Sequence, residues 1–357
     1  MNVGIVGCGV ISKHYAENAA AFDAFDVVAC ADLERAFAAA LASDHGLDLL
    51  EVDELIADPA IGIVLNLTPP AAHVEVTRAA LAAGKHVYTE KPLATGTADA
   101  AALAAEAERR GVLLGCAPDI FLGGAFQAAR ALIDEGAIGE PVAVSAAMLV
   151  GGADSWHPSP EQFFQDGAGP LLDMGPYYLT AIVALLGPVA HVAGFASTPT
   201  AERTIRVGPR AGSTFAVTTP THVSAALDLE GGVTANLVAS FEATDRYVCD
   251  LEIHGREAVL ALPDPNAFNG VLRKRVNRGE WEEVEYASRG AREARGIGLQ
   301  DLAEAVAEGR PPRASGRLGA HVVEVARGVL AAAAGGRTVE IASRTERPDP
   351  LPVARVA

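Results

Sequence analysis

Residues 3–12 have the sequence Val3-Gly4-Ile5-Val6-Gly7-Cys8-Gly9-Val10-Ile11-Ser12, and this stretch decides the fold of the first part of the chain. Val3–Val6 is a short run of β-forming residues, and a helical pattern extends from about Ser12 to Ala21. The pattern between them is G-x-G-x-x-S. Its first glycine permits a tight turn, and its second lets the backbone approach a pyrophosphate at a helix N-terminus. The stretch therefore predicts a dinucleotide-binding βα unit.

Asp32 supports the same interpretation because it ends the second predicted strand, Val27–Ala31, 23 residues after Gly9. A carboxylate about 20 residues beyond the glycines binds the adenosine ribose hydroxyls. It would repel a 2′-phosphate, so NAD is favoured over NADP. Arg35 is close enough to keep NADP open as an alternative cofactor.

Strands and helices alternate through residues 1–118, which predicts an α/β Rossmann domain with a doubly wound parallel sheet. Ligands bind at the carboxyl ends of such strands. Thr68-Pro69-Pro70 and Glu90-Lys91-Pro92 each follow a predicted strand, and His73 comes one helical turn after the first of these loops. His73 is equally well interpreted as a polar residue of a helix start. The predicted cofactor contacts are Gly7, Gly9, Val10, Ile11, Asp32, Thr68, Pro69, His73, Glu90 and Lys91.

After Pro118 the pattern changes, and residues 119–357 predict an α+β domain with a large, mainly antiparallel sheet. Three pairs of β-forming runs flank short polar turns, as in hairpins. A helix is expected from about Leu171 to Leu186, and two more close the domain. The tail after Arg337 is expected to be an exposed arm.

The composition excludes several classes of protein. The chain has 357 residues, half of them hydrophobic, with 28 basic and 45 acidic side chains and a formal charge of −17. This charge disfavours nucleic acid and anionic membranes as partners. The N-terminus has no basic segment of a signal peptide, so a cytoplasmic protein is expected. The four cysteines have no metal-binding spacing, which predicts buried free thiols and no metal site.

The motifs, taken in order, resemble those of the Gfo/Idh/MocA family. The segments that carry the resemblance are GCGVIS (7–12), LTPPAAH (67–73), TEKP (89–92), GEP (139–141) and GAGPLLDMGPY (167–177). The resemblance covers residues 1–190 by motif and the rest by architecture. It implies NAD(P) and hydride transfer to or from a secondary alcohol or hemiacetal of a sugar, polyol or related compound. It also implies a substrate domain whose sheet face forms an oligomer interface, hence a homodimer or homotetramer.

The resemblance further implies catalytic roles for Lys91, Asp173 and Tyr177. The lysine of E-K-P contacts the reacting hydroxyl in the family, and the aspartate and histidine of D-x-G-x-H assist it. Tyr177 stands at the histidine position, as in glucose–fructose oxidoreductase-like members. A further family aspartate is replaced by Thr180, which argues against the His–Asp subtype. The resemblance also suggests a cis Lys91–Pro92 peptide bond.

The chemistry of these side chains gives an independent argument. Oxidising an alcohol requires a group that takes the hydroxyl proton. Burial and a nearby positive charge lower the pKa of a lysine from about 10.4, whereas an arginine stays protonated. Only four of the 28 basic residues are lysines. Asp173 lies one helical turn before Tyr177 and shares a face of the predicted helix with it at i,i+4. Structural interpretations remain open: a helix-start carboxylate for Asp173, a core aromatic for Tyr177, a solvated lysine for Lys91.

Three more residues are expected to contact the substrate together with the catalytic trio. Asp119 follows the last Rossmann strand, and Trp156 and His157 offer a stacking face and a polar tip for a sugar. Their alternative role is loop packing. Two other functions stay open: a glycosidase-type relative that retains NAD, and a non-catalytic NAD-binding sensor or regulator.

Overall fold

The computed structural model describes residues 1–243, 247–288 and 290–351. The chain divides into two compact units. The N-terminal unit comprises Met1–Gly123 and Ser288–Val323, and the C-terminal unit comprises Gly124–Ala287 and Glu324–Ala357. The sequence predicted a boundary after residue 118, between a cofactor-binding domain and a substrate-binding domain. That functional division stays a prediction. The return of Ser288–Val323 to the N-terminal unit was not expected from the sequence.

A six-stranded parallel sheet forms the centre of the N-terminal unit, with strand order β3-β2-β1-β4-β5-β6. This is the order of dinucleotide-binding Rossmann domains, so the predicted fold class is confirmed. Strands β4 and β6 and all of β1 except Asn2 are buried on both faces, as expected for a parallel sheet covered by helices. Their bounds are β1 Asn2–Val6, β2 Asp26–Ala31, β3 Asp48–Leu49, β4 Ile63–Asn66, β5 His86–Thr89 and β6 Leu114–Cys116.

Five helices connect these strands: α1 Val10–Asn18, α2 Arg35–His45, α3 Val52–Ala57, α4 His73–Ala82 and α5 Thr97–Arg110. Gly46 and Gly111 end α2 and α5 in the left-handed conformation that glycine tolerates best. Leu81, Leu103 and Val87 belong to the fully buried core on one side of the sheet. These helices hold the carboxyl ends of the strands in place.

The first part of the C-terminal unit contains the helices α6 Gly124–Asp134, α7 Pro170–Asp173 and α8 Gly175–Leu186, with one strand between α6 and α7. The sequence predicted one helix over Leu171–Leu186, and this prediction was wrong at Met174, where the helix is interrupted. The physical reason is Pro176, which has no N–H to donate to the carbonyl of Leu172. Tyr177 N–H instead donates to Met174 O at 3.1 Å.

The larger sheet of this unit has nine strands, in the order β16-β15-β14-β13-β7-β12-β11-β8-β17. Among the described residues of this sheet, only β7 and β12 pair in parallel, so the predicted mainly antiparallel sheet is confirmed. A separate two-stranded ribbon pairs β9 with β10. The bounds are β7 Pro141–Leu149, β8 Val189–Ser197, β9 Glu202–Thr204, β10 Thr214–Ala216, β11 His222–Leu229, β12 Thr234–Ser240, β13 Val248–Gly255, β14 Ala258–Leu262, β15 Arg273–Val276, β16 Glu282–Glu283 and β17 Val339–Glu340.

Two helices follow the sheet, α9 Ile297–Glu308 and α10 Gly316–Gly335. Helix α9 contacts β6, and α10 contributes its residues up to Val323 to the N-terminal unit. Within the described residues, α10 alone has the length and apolar composition of a membrane span. Of its apolar window, 56% is buried inside the protein, a property of core helices.

The C-terminal tail is not the exposed arm that the sequence suggested. Strand β17 pairs with β8, and Ile341 and Leu351 are buried. Arg130 in α6 donates to Pro348 O at 2.8 Å, which attaches the tail to the unit. Residues 352–357 of the predicted arm lie outside the described residues.

Candidate functional site

Four neighbouring strands of the N-terminal unit bring the predicted cofactor residues to one edge of the sheet. Strands β2, β1, β4 and β5 are adjacent and parallel, so their carboxyl ends share that edge. Asp32 follows β2, residues 7–9 follow β1, Thr68 and Pro69 follow β4, and Glu90 and Lys91 follow β5. These contacts with a cofactor stay predictions, but the edge that they require exists.

In the glycine-rich loop, the local backbone requires a glycine at Gly7 but not at Gly9. Gly7 has φ +98°, and a Cβ there would lie 2.6 Å from the carbonyl carbon of Leu67. Gly9 is exposed, and a Cβ there would meet nothing within 4 Å. Val10, which begins α1, is 83% exposed, and Ile11 follows it in the first turn of the helix. The loop therefore leaves open backbone at the N-terminus of α1, as a bound pyrophosphate requires.

Asp32 stabilises this loop by accepting hydrogen bonds from two backbone amides. Its Oδ2 accepts a hydrogen bond from the Cys8 amide at 2.6 Å, and its Oδ1 accepts one from the Glu34 amide at 2.8 Å. The carboxylate is half-buried at the end of β2. Arg35, the residue that kept NADP open, forms an exposed ion pair with Glu51.

His73 joins two loops of the edge. Its Nδ1 lies 2.7 Å from Pro92 O, and its Nε2 lies 2.7 Å from Thr68 O. The ring is buried, and burial lowers the pKa of His73. Both partners are carbonyl oxygens, so the neutral ring donates a hydrogen bond to only one of them, and direct contact of a ring nitrogen with a cofactor would replace one of the two contacts. The cofactor role of His73 therefore stays a prediction beside an observed structural role.

The Glu90–Lys91 segment is held by residues that the sequence did not single out. Tyr15 in α1 donates to Glu90 Oε1 at 3.1 Å, and Arg295 forms an ion pair with the same oxygen at 3.6 Å. The second oxygen, Oε2, accepts the Lys91 amide at 3.1 Å. The Lys91–Pro92 bond is cis, which confirms that prediction. Arg295 and Glu90 are 205 positions apart, so no local sequence pattern could have predicted their contact.

Asp119 is fully buried, and its observed contact is with the protein. Its Oδ2 accepts a hydrogen bond from the Gly298 amide at 2.9 Å, in the first turn of α9. Burial raises the pKa of the Asp119 carboxyl. One carboxylate oxygen of Asp119 thus caps α9, and the predicted substrate contact of this residue stays untested.

In the C-terminal unit, Asp173 and Tyr177 lie on either side of the helix break. Asp173 is the last residue of α7, and its amide donates to Gly169 O at 2.9 Å. Tyr177 lies in the first turn of α8 and is buried. The regular i,i+4 face of a continuous helix does not apply here.

Trp156 and His157 lie in the loop between β7 and α7. Trp156 is 61% exposed, and its ring packs against the rings of His157 and Phe163, with centroids 5.5 and 5.7 Å away. His157 Nδ1 accepts the Ser159 amide at 3.0 Å. The loop thus presents one large aromatic face to solvent.

Cys8, Cys30 and Cys116 are buried free thiols, as predicted, and Cys249 is a half-buried one. Burial raises the pKa of Cys116 well above its ordinary value. Across residues 1–243, 247–288 and 290–351, no three histidine, cysteine, aspartate or glutamate side chains are grouped to hold a metal ion.

Both halves of the chain match models of one protein family. Residues 1–117 match the oxidoreductase family with an NAD-binding Rossmann fold, and residues 126–261 match the GFO/IDH/MocA C-terminal domain. An uncharacterised oxidoreductase, ORF334 of Rhizobium meliloti, is 30% identical over 73% of this chain and 74% of its own length. The 1,5-anhydro-D-fructose reductase of Ensifer adhaerens is 34% identical over 39% of this chain and 43% of its own length. The chain thus spans less than half the length of that reductase.

Solved structures have the same fold. Levoglucosan dehydrogenase, in complex with NADH and L-sorbose, superimposes with a TM-score of 0.85 over 96% of this chain and 99% of its own, at 23% identity. This likeness concerns the fold alone. The two family models and the Rhizobium relative establish that the chain belongs to the GFO/IDH/MocA family of oxidoreductases, with an NAD-binding Rossmann domain in its N-terminal unit.

Proposed function

We propose that this protein is an NAD-dependent dehydrogenase that moves a hydride between the cofactor and a secondary alcohol or hemiacetal of a sugar or polyol. The relatives that support this substrate class include the anhydrofructose reductase and an inositol 2-dehydrogenase of Agrobacterium fabrum, 37% identical over 30% of the chain. NADP is the alternative cofactor, and the Arg35–Glu51 ion pair argues against it because Arg35 already has an acidic partner.

The observation that carries the proposal is the sheet edge of the N-terminal unit. It combines open backbone at Gly9, a carboxylate at Asp32 and the Glu90–Lys91 segment at the ends of parallel strands of one sheet. The first two features suit a dinucleotide, and the third supplies an amine at the same edge.

In this proposal, separate residues bind the cofactor and take the proton. Gly7, Gly9 and α1 would hold the pyrophosphate of NAD, and Asp32 would hold its adenosine ribose. The cofactor, when bound, supplies the hydride acceptor or donor. Lys91 takes the proton from the alcohol oxygen, since a lysine can lose its proton near neutral pH and an arginine cannot.

Asp173 and Tyr177 assist Lys91 in this proposal, on the basis of the D-x-G-x-Y motif. The phenol of Tyr177 hydrogen-bonds to the reacting oxygen, and Asp173 assists through its carboxylate. Trp156 and His157 bind the body of the substrate. Asp119 is proposed as a substrate contact because it follows β6. Its observed hydrogen bond is with the Gly298 amide and does not itself support this role.

We also propose a cytoplasmic homodimer or homotetramer. Buried free cysteines are consistent with a reducing compartment. In the nine-stranded sheet, β7, β11 and β12 alternate buried with more exposed residues, and Phe195 on β8 is 82% exposed. A second copy would cover such a face. Sedimentation equilibrium of the wild type and of Phe195→Glu tests this, and a monomeric wild type would contradict it.

The test of the enzymatic proposal is the absorbance at 340 nm with a panel of sugars and polyols, NAD and NADP. Lys91→Ala should lower kcat by about 10²–10⁴-fold, the usual contribution of an acid–base group. Lys91→Arg should be nearly as inactive, and Tyr177→Phe should lose turnover while it keeps its stability. Tyr178→Phe is the matched control, since it removes the hydroxyl of the neighbouring buried tyrosine, which donates to Ala147 O at 3.4 Å.

Each alternative function gives a different result. A glycosidase-type relative would release product without net formation of NADH, and a sensor would bind NAD without turnover. If Lys91→Ala and Tyr177→Phe both keep more than about a tenth of wild-type turnover, the assigned proton route is wrong.

A further inference from the structure

A buried ion cluster ties the loop that carries Trp156 to the ribbon β9–β10. Arg203 in β9 contacts Asp154 Oδ1 through Nη1 at 2.8 Å, and Glu242 Oε1 through Nη2 at 2.8 Å. The side chains of Arg203 and Asp154 are each 7% exposed. Asp154 lies two residues before Trp156, so the guanidinium holds the loop close to its exposed ring.

The packing around Arg203 leaves it little freedom. The guanidinium lies over the ring of Phe164, 4.8 Å from its centroid, and donates to Phe241 O at 3.1 Å. A Cβ on Gly152 would lie 2.7 Å from Arg203 Nη1, so the loop backbone approaches the guanidinium directly. The Arg206 amide adds a backbone bond to Asp154 O at 2.9 Å.

This arrangement contributes more to geometry than to stability. Removing charges from water is unfavourable, and the attraction within a buried pair roughly offsets that cost. Apolar side chains of similar volume would fill the same space without directional contacts. Contacts with Phe241 O and Glu242 instead fix the guanidinium of Arg203, and its directional contact with Asp154 Oδ1 then defines where residue 154 lies. The conformation of the next few residues, including Trp156, follows from that anchor.

We propose that Arg203 is a positioning residue for substrate recognition: by anchoring Asp154, it orients Trp156 as a stacking surface. The ribbon β9–β10 then determines affinity for the substrate and leaves cofactor binding unchanged. The proposal rests on the proposed function, in which Trp156 contacts the sugar or polyol.

The kinetic test uses Arg203→Met in the full chain, with a substrate found in the panel. We expect KM for that substrate to rise about tenfold or more, with kcat and KM for NAD within about twofold of wild type, since only substrate binding is affected. Asp154→Asn keeps the shape of the partner and weakens the anchor, so it should give a smaller rise. Arg256→Met is the control, because it breaks an exposed pair with Glu140 in the same unit.

Fluorescence gives a readout that a general loss of stability would not produce. The chain has two tryptophans, so Trp281→Phe leaves Trp156 as the sole reporter. In this background, Arg203→Met should lower the anisotropy of Trp156 and increase its quenching by acrylamide, at temperatures well below unfolding. If Arg203→Met does not fold, Asp154→Asn and Arg203→Lys carry both measurements.

Trp156→Ala separates failure of this inference from failure of the proposed function. If Trp156→Ala leaves KM unchanged, the substrate contact itself is wrong. If Trp156→Ala raises KM while the folded Arg203 and Asp154 variants leave KM and anisotropy unchanged, the positioning role is wrong. In the double variant Arg203→Met/Trp156→Ala, the effects should be clearly less than additive, because both act through one ring.

Discussion

At the scale of single residues, the two glycines of the nucleotide loop make the clearest contrast. Gly7 is required by the fold, since its φ of +98° and the backbone of Leu67 and Thr68 leave no room for a Cβ. Gly9 meets no such limit from the protein, so its lack of a side chain points to a ligand.

We therefore expect opposite results for the two alanine variants. Gly9→Ala should unfold at nearly the wild-type temperature and lose NAD affinity about tenfold or more, because its methyl group blocks the approach of the pyrophosphate. Gly7→Ala should be destabilised by about 1–3 kcal/mol from the strained φ and the close contact. Calorimetric titration with NAD and thermal unfolding check both. Unchanged NAD affinity in Gly9→Ala would place the pyrophosphate elsewhere.

Asp32→Ser tests the choice of cofactor. The change should weaken NAD by about 1–3 kcal/mol, the value of hydrogen bonds to a charged group, and should favour NADP relatively. Because Asp32 also accepts the Cys8 and Glu34 amides, some of the loss will come from the loop. Dissociation constants for both cofactors measure the change, and a wild type that already prefers NADP would contradict the assignment.

Lysine is rare in this chain, and the contacts of Lys85 show that one of the few lysines has a structural role. Lys85 is buried, and its Nζ donates to the carbonyl oxygens of Asp58, at 2.5 Å, and Ile61, at 2.8 Å. A compact ammonium suits two converging carbonyls better than a planar guanidinium. Rarity of lysine therefore marks structural positions as well as the proposed catalytic one.

At the scale of elements, β5 begins with a histidine whose protonation opposes folding. His86 Nδ1 accepts the Leu113 amide at 2.9 Å, and burial lowers the pKa of His86. The folded state therefore binds fewer protons than the unfolded state, where the pKa is about 6.5. The contribution to stability is complete above about pH 6.5 and is lost as the pH falls toward the lower folded value.

We expect the free energy of unfolding to fall between about pH 7 and pH 5, and this fall to be smaller in His86→Gln. His73 has the same sign, because burial lowers its pKa too, so part of the slope should persist. Urea titrations at several pH values measure the effect. His14→Gln, at an exposed position of α1, is the control, and a slope equal to wild type in His86→Gln would refute the assignment.

At the scale of the whole molecule, the last described residues act as part of the C-terminal unit. Arg130 donates to Ala184 O and Pro348 O and pairs with Asp134, which also binds Arg347. The Leu351 amide donates to Gln127 Oε1 at 2.7 Å. The tail is thus joined to α6 and α8.

Arg130→Met should lower the free energy of unfolding by about 2 kcal/mol, the scale of hydrogen bonds to a charged group. The guanidinium is buried, so the carbonyl oxygens it leaves have no solvent to replace it. Arg344→Met, which removes an exposed pair with Glu230, should cost less than about 1 kcal/mol. Chemical denaturation measures the free energy of unfolding of both variants. Equal losses would mean that the contacts of Arg130 with the tail do not stabilise the unit.

Much of the fold could be predicted from the sequence because its signals are local. Strand–glycine–helix spacing gave the Rossmann unit, and alternating residues around short turns gave the antiparallel hairpins β11–β12, β13–β14 and β15–β16. The E-K-P motif likewise gave Lys91 at the end of β5. These features depend on residues within a few positions of one another.

By itself, then, the sequence determined the fold class, the nucleotide loop, the family and the candidate residues that its motifs contain. Only the tertiary structure decided the contacts between distant residues: the ion pair of Arg295 with Glu90, the cap of α9 by Asp119, the anchor of Asp154 by Arg203, and the parallel pairing of β7 with β12. The physical reason is that such pairs depend on burial and on chain segments brought together after folding. Periodicity and propensity describe neighbours along the chain, and they carry no information about which distant charge a buried carboxylate will meet.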